Sequence, residues 1–364
     1  MGKSSLKRLG KRVLQLGVLV LILGYVFYYI SHEWGQLAAH PFQWNPWLMF
    51  LAFGGFVLQE LSYGLIWRAV LARLGHKLDL RPCLRVYLAS EFVRYIPGNV
   101  WHVLTRLLWI GKYGVSRPIA FASMAVELIT KLAAGAFVFA LSLLFWGSIG
   151  AVQSLLHDRP VLVGLGVFTM LALLIGLHPR VLKGLLNAAL RLLKRDPVVL
   201  TLRYSDILLV TLAWCVSWLV AGGAFYILLL ALFPAVPLSA LPICIGIYAL
   251  AWDIGFLSFI TPGGLVFREG AIVTLLALSL PLLPSIWGPI LAILSRFVST
   301  LAELVCVSVA YMSGGQQMRA VQREQASLST PPSDEATGRK EKEMKMITAE
   351  TPTEVSVQGG VVSE

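Results

Sequence analysis

Twelve ionisable side chains lie inside apolar stretches of this chain: Glu60, Arg68, Glu91, Arg94, Arg106, Glu127, Lys131, Asp253, Arg268, Glu269, Arg296 and Glu303. Six are acidic and six basic. Facing lipid, at roughly 2.5–3.5 kcal/mol each, they would cost about 30–40 kcal/mol. A fold stable by about 5–15 kcal/mol cannot carry that, so these groups must face inward, paired or wet. Helical spacing offers partners: Glu127 and Lys131 are i,i+4, Glu91 and Arg94 are i,i+3, and Arg296 and Glu303, seven apart, share a helix face. Two chemistries follow. The charges are buried ion pairs that hold helices together, or they form seats for a polar ligand at membrane depth.

The second chemistry draws on two helix breakers. Pro97-Gly98-Asn99 interrupts one charged region and Thr261-Pro262-Gly263-Gly264 the other. Half-helix ends expose N–H dipoles, and an N-terminus beside an Arg suits phosphate or carboxylate. Asn99 and the Gly263-Gly264 backbone can complete such seats, or serve only the turn. The candidate site is therefore Glu91, Arg94, Pro97, Gly98, Asn99, Arg106, Glu127 and Lys131 from the first region. The second contributes Asp253, Pro262, Gly263, Gly264, Arg268, Glu269, Arg296 and Glu303.

The elements that carry these residues are membrane helices. The 364 residues are 57% hydrophobic and 13% charged, with 11 Trp. Soluble domains average about 45–50% apolar and about 25% charged. This excludes a soluble enzyme and a nucleic-acid binder despite the net charge of +11. Cys83, Cys215, Cys244 and Cys306 have no CxxC spacing and the six His are scattered, so no metal, redox site or cofactor is indicated. Gly2-Lys3-Ser4-Ser5 lacks the strand and upstream glycine of a P-loop.

A span needs about 20 apolar residues. Residues 13–31, 46–72, 118–146, 160–178, 205–232 and 286–312 qualify. The arms 82–96 and 100–111 reach only about 22 and 18 Å at about 1.5 Å per residue, so the first break reads as a re-entrant hairpin, tolerated only inside protein or beside a wet cavity. Residues 241–280 read as a second hairpin, although the arm 241–260 is long enough to span. The loops 1–12, 73–85, 111–117 and 178–203 hold 17 Lys/Arg, against Arg159 alone on the opposite side. That places both termini in the cytoplasm, with six spans, or eight if the second hairpin crosses fully. The two hairpins then enter from opposite faces.

The expected fold is thus an all-α polytopic membrane protein of about six to eight helices. Two opposed Pro-Gly hairpins form a weak inverted repeat, with units at about 80–146 and 240–312. Such paired interruptions point to a transporter's binding site. Residues 179–195 form a basic amphipathic helix, either an interfacial lipid-attracted element or a topology anchor. Residues 1–315 are the membrane domain. Residues 316–364, polar and containing Pro331-Pro332, are a disordered cytoplasmic tail.

Two stretches resemble a known family. Phe92-Val93-Arg94-Tyr95-Ile96-Pro97-Gly98-Asn99-Val100-Trp101, followed by Arg106, Gly114 and Glu127, is similar to its first signature. Thr261-Pro262-Gly263-Gly264-Leu265-Val266-Phe267-Arg268-Glu269-Gly270 is similar to its second. This is the lysylphosphatidylglycerol synthase transmembrane-region family, of YbhN-type and AglD-type proteins and the flippase portion of MprF, and the likeness covers about residues 10–312. It implies a flippase-like fold in a bacterial or archaeal cytoplasmic membrane that moves a lipid between leaflets. In MprF a soluble aminoacyl-transfer domain follows; the short tail stands in its place here, so lysyl transfer, and an enzyme activity generally, is not implied. The expectation is a flippase or scramblase whose partners are membrane lipids, with an anionic phospholipid or lipid-linked headgroup. The alternatives are a secondary transporter of a small polar solute or ion, with Glu127, Asp253 or Glu303 carrying protons, and a non-transporting accessory of envelope lipid or glycan biosynthesis enzymes.

Overall fold

A computed structural model of the chain describes residues 44–91, 101–146, 175–192, 202–258, 264, 266–280 and 283–312, with the single helical positions 164, 168 and 171. The expected span 13–31, most of 160–178, the breaks 97–99 and 261–263, and the tail lie outside the described residues. Arg94 lies outside them too.

The described chain is helical, without a strand. In order, the elements are α1 (Pro46–Arg73), α2 (Leu80–Glu91), α3 (Trp101–Gly111), α4 (Arg117–Ser142, extended by a 3-10 turn Leu143–Phe145) and α5 (Pro179–Leu192). After them come α6 (Tyr204–Leu232), α7 (Ala240–Leu257), α8 (Phe267–Ser279) and α9 (Trp287–Met312). Local chemistry sets several starts. The Asn45 side chain accepts the N–H groups of Trp47 and Leu48 at 3.1 and 3.3 Å, with Pro46 at the first position of α1. Asp206, in the first turn of α6, accepts the Arg203 N–H at 3.0 Å and pairs with Arg73 at 3.3 Å. The end of α1 is thereby tied to the start of α6.

Five helices are long and apolar enough to cross a membrane: α1, α4 with its 3-10 extension, α6, α7, and α9 as far as Ala310. Four of them match expected spans. The fifth, α7, comes from the region read as the second hairpin; its 18 residues suffice to cross. At 12 and 11 residues, α2 and α3 do not. The connection between them is not described, so the hairpin itself is not shown.

Helix α6 packs along α1, α4 and α7, and α7 also packs on α4 and α8. Trp214, Trp218, Ala221, Phe225 and Leu229 of α6 are buried, while Leu212, Val216 and Leu219 face outward. Helix α9 likewise buries Leu291, Ala292, Ala302 and Cys306 and exposes Phe297, Leu301 and Val309. Outward apolar faces suit lipid, and small residues inside allow close helix approach. In the basic helix α5, Leu182 is fully buried, so this helix docks onto the bundle through at least that residue. One expectation fails here. Arg68 does not face inward; it is exposed and donates through Nε to the Leu78 carbonyl at 2.8 Å, bracing the turn after α1.

A charged cavity with an aromatic box

A cavity of about 380 Å³ opens among α1, α2, α3, α4, α7, α8 and α9. Its lining includes Glu91, Arg106, Glu127, Lys131, Gly264, Arg268, Arg296 and Glu303. Both halves of the expected repeat therefore meet in one space. Of the other candidates, Asp253 is buried and Glu269 pairs with the lining residue Arg296, but neither lines the cavity; the remaining six are not described. Glu60 lines the cavity as well, so the charged lining is four acids and four bases. That balance is what burial at membrane depth demands.

Arg106 is held by three side-chain partners and two rings. Nε donates to Ser90 Oγ at 3.0 Å, Nη1 to Glu127 Oε2 at 2.8 Å, and Nη2 to Glu91 Oε1. Its guanidinium lies 3.9 Å from the Tyr87 ring centroid and 5.2 Å from that of Trp67. Tyr87 Oη also donates to Glu127 Oε1 at 2.6 Å. The planar guanidinium thus joins α3 to α2 and α4, a role its fork geometry favours. Helical spacing offers Lys131 to Glu127 and Arg94 to Glu91. In the fold it is Arg106, from another helix, that holds both carboxylates.

Lys131 instead enters an aromatic box. Its Nζ lies 3.6 Å from the ring centroid of Tyr63, 3.9 Å from Trp252, 4.9 Å from Trp214 and 5.8 Å from Trp218. Trp218 Nε1 donates to the Lys131 carbonyl at 3.2 Å, and Gln59 Nε2 to Tyr63 Oη at 2.6 Å, which fixes two walls. Desolvated cation–π contacts are worth about 2 kcal/mol or more. These rings were missed in the sequence. The available signal was Trp214 and Trp218, one turn apart in mid-span, where Trp has no interfacial reason to be.

The second break presents a different cation. Arg268 is buried, lies 4.8 Å above the Tyr248 ring, and its Nη2 has no hydrogen-bond partner among the described residues. It sits in the first turn of α8, where backbone N–H groups have no partner within the helix. Gly264 brings this end against α7. Its φ is +68°, and a Cβ there would overlap the Gly255 backbone. Val266 follows at φ +77°, a strained position for a β-branched residue; its N–H is held by Glu269 Oε2 at 2.8 Å. Glu269 Oε1 also meets Arg296 Nη1 at 3.4 Å. In each half, then, the helix after the break is tied to the next long helix by an ion pair. The polarity is reversed: Arg106 to Glu127, and Glu269 to Arg296.

A second glycine makes room for Asp253. Asp253 is 4% exposed, and a Cβ on Gly135 of α4 would run into its carboxylate. Among the described residues there is no cluster of three or more metal-binding side chains.

No curated protein matches the chain. A family model described as Lysylphosphatidylglycerol synthase TM region matches residues 12–311. That range takes in every helix described except the last residue of α9, and all of the cavity. The breaks, the charged arms and the long helices that follow them are thus features of a membrane protein of the lysylphosphatidylglycerol synthase transmembrane-region family, to which this chain belongs.

Proposed function

We propose that this chain is a lipid flippase or scramblase that passes an anionic phospholipid headgroup or lipid-linked headgroup through the charged cavity while its acyl chains stay in the bilayer. The observation that carries this reading is Arg268. Its guanidinium lines the cavity at the first turn of a helix, and its Nη2 has no hydrogen-bond partner among the described residues. A phosphate there gains charge-assisted hydrogen bonds from Arg268 and N–H groups of the α8 start. Arg106, by contrast, is neutralised by two carboxylates and serves the scaffold. On this reading the chain is a carrier rather than an enzyme, its termini are cytoplasmic, and any envelope lipid or glycan enzyme acts on what it delivers.

The test is transbilayer movement of a headgroup-labelled anionic phospholipid in proteoliposomes, read by an impermeant quencher. Quenching beyond the outer leaflet supports the reading. Arg268→Ala should slow it roughly 10- to 100-fold, from the approximately 1.5–3 kcal/mol of a hydrogen bond to a charged group. The cavity volume, near the lower end of small-molecule sites, also favours one other reading, carriage of a free polar solute. Uptake of a soluble organic phosphate, with no lipid movement, would select that reading instead.

A further inference from the structure

Asp253 has no part in the cavity lining and none in the ion pairs. Its side chain is buried between α7 and α4, and neither carboxylate oxygen has a hydrogen-bond partner among the described residues. A native membrane protein rarely carries such a group without use. Gly135 opens the space it fills, so its seat is built by another helix rather than left over from packing. Lys131 stands on the same face of α4, one turn before Gly135, and its Nζ lies 3.9 Å from the ring of Trp252, the residue next to Asp253. The other elements packed on α7 present different groups: α6 brings Trp218, its ring tilted against that of Trp252 with centroids 5.3 Å apart, and α8 brings Arg268, against Gly255. Glu127, a turn beyond Lys131, is committed to Arg106 and Tyr87.

We propose that Asp253 is a proton-binding site coupled through Lys131 to occupation of the cavity, so that an anion and a proton are taken up together. The proposal rests on reading the cavity as an anion seat. Without an anion, the Lys131 ammonium compensates an ionised Asp253. An anionic headgroup in the cavity draws on that same ammonium. Asp253 is then a carboxylate with neither donor nor counter-charge, among the costliest groups to keep charged in an apolar interior. It takes one proton from the aqueous phase onto a carboxylate oxygen, and releases it when the anion leaves. The transferred species is a proton alone, with no redox partner. The linkage is reciprocal: if the anion favours the proton, the proton favours the anion to the same degree. Anion affinity therefore rises as pH falls, by at most about tenfold per pH unit for one proton. Driven across a membrane, the same linkage would let a proton gradient power lipid movement.

The experiment is calorimetric titration of the full chain in nanodiscs with dioctanoyl phosphatidylglycerol, in two buffers of different ionisation heat and at several pH values around neutrality. The wild type should take up between zero and one proton per anion bound, with affinity falling as pH rises. Asp253→Asn should bind with the wild type's low-pH affinity, independent of pH, and take up no proton. Binding without proton uptake, or uptake retained in Asp253→Asn, overturns the proposal. If the probe does not bind, the anion-seat reading fails, and infrared difference spectra across a pH step decide the rest. A carboxylic-acid carbonyl band that titrates in the wild type and vanishes in Asp253→Asn sustains Asp253 as a proton site; its absence removes it.

Discussion

Removing the Arg106 guanidinium leaves two carboxylates at membrane depth. In Arg106→Met the side chain keeps much of its length, so little volume is lost. What goes is the donor set to Ser90, Glu91 and Glu127 and the stacking on Tyr87 and Trp67. Breaking one buried pair by deleting a partner costs roughly 3–5 kcal/mol. Two acids shared this cation, but each can escape by taking a proton, so the loss should stay nearer one such term than two. The ring contacts add about 1–2 kcal/mol. The expected destabilisation, about 4–7 kcal/mol, is a large part of a stability of about 5–15 kcal/mol. Reversible unfolding in mixed detergent micelles measures it. Arg106→Lys should recover only part, because one ammonium cannot replace a fork that serves three oxygens. The combination Arg106→Met, Glu91→Gln, Glu127→Gln should recover much more, since no buried charge is then stranded. The reasoning is refuted if Arg106→Met alone is as stable as the wild type, or if the triple variant is no better than the single one.

Other outcomes follow from the same geometry. Exchanging Glu127→Lys with Lys131→Glu keeps the net charge but sets an ammonium beside Arg106 and a carboxylate inside the aromatic box; it should fold poorly, as gel filtration and protease resistance would register, and a well-folded exchange would show that the two residues are simply each other's partners. Gly135→Ala should destabilise by steric collision with Asp253, and adding Asp253→Ala should relieve much of that loss, so a double-mutant cycle should give a coupling of about 0.5–3 kcal/mol; additive losses would dismiss the contact. Gly264→Ala meets both an unfavourable φ and the Gly255 backbone, and should lower thermal stability together with headgroup movement, whereas unchanged behaviour would remove the close approach of α8 to α7.

The sequence made the class and the cast of charges readable. Desolvation cost alone requires charges such as Glu91, Arg106, Glu127 and Lys131 to turn inward, and these four do line one cavity. Arg68 escaped the argument because it lies close enough to the end of α1 to reach the following turn. The pairing was not readable. Spacing sees only neighbours on one helix, and the cation that holds both Glu91 and Glu127 comes from α3, a different helix from either. The aromatic box was hidden for the same reason: Tyr63, Trp214 and Trp252 come from three separate helices and converge only on packing. Gly135 gave no signal either, since a glycine within a membrane helix looks like any small packing residue until the carboxylate opposite it is known. The second break was legible in its charge and glycines, and the expectation that its first arm is long enough to span agrees with α7, which is long and apolar enough to cross a membrane.

The central claim is that the cavity seats a lipid phosphate at Arg268. Native mass spectrometry of the protein released from gentle detergent tests it most directly, by identifying the lipid that stays bound. The account predicts an anionic lipid retained on the wild type, equally retained on a surface variant such as Arg68→Ala, and lost from Arg268→Ala while that protein remains folded. Retention of the same anionic lipid by folded Arg268→Ala would contradict it.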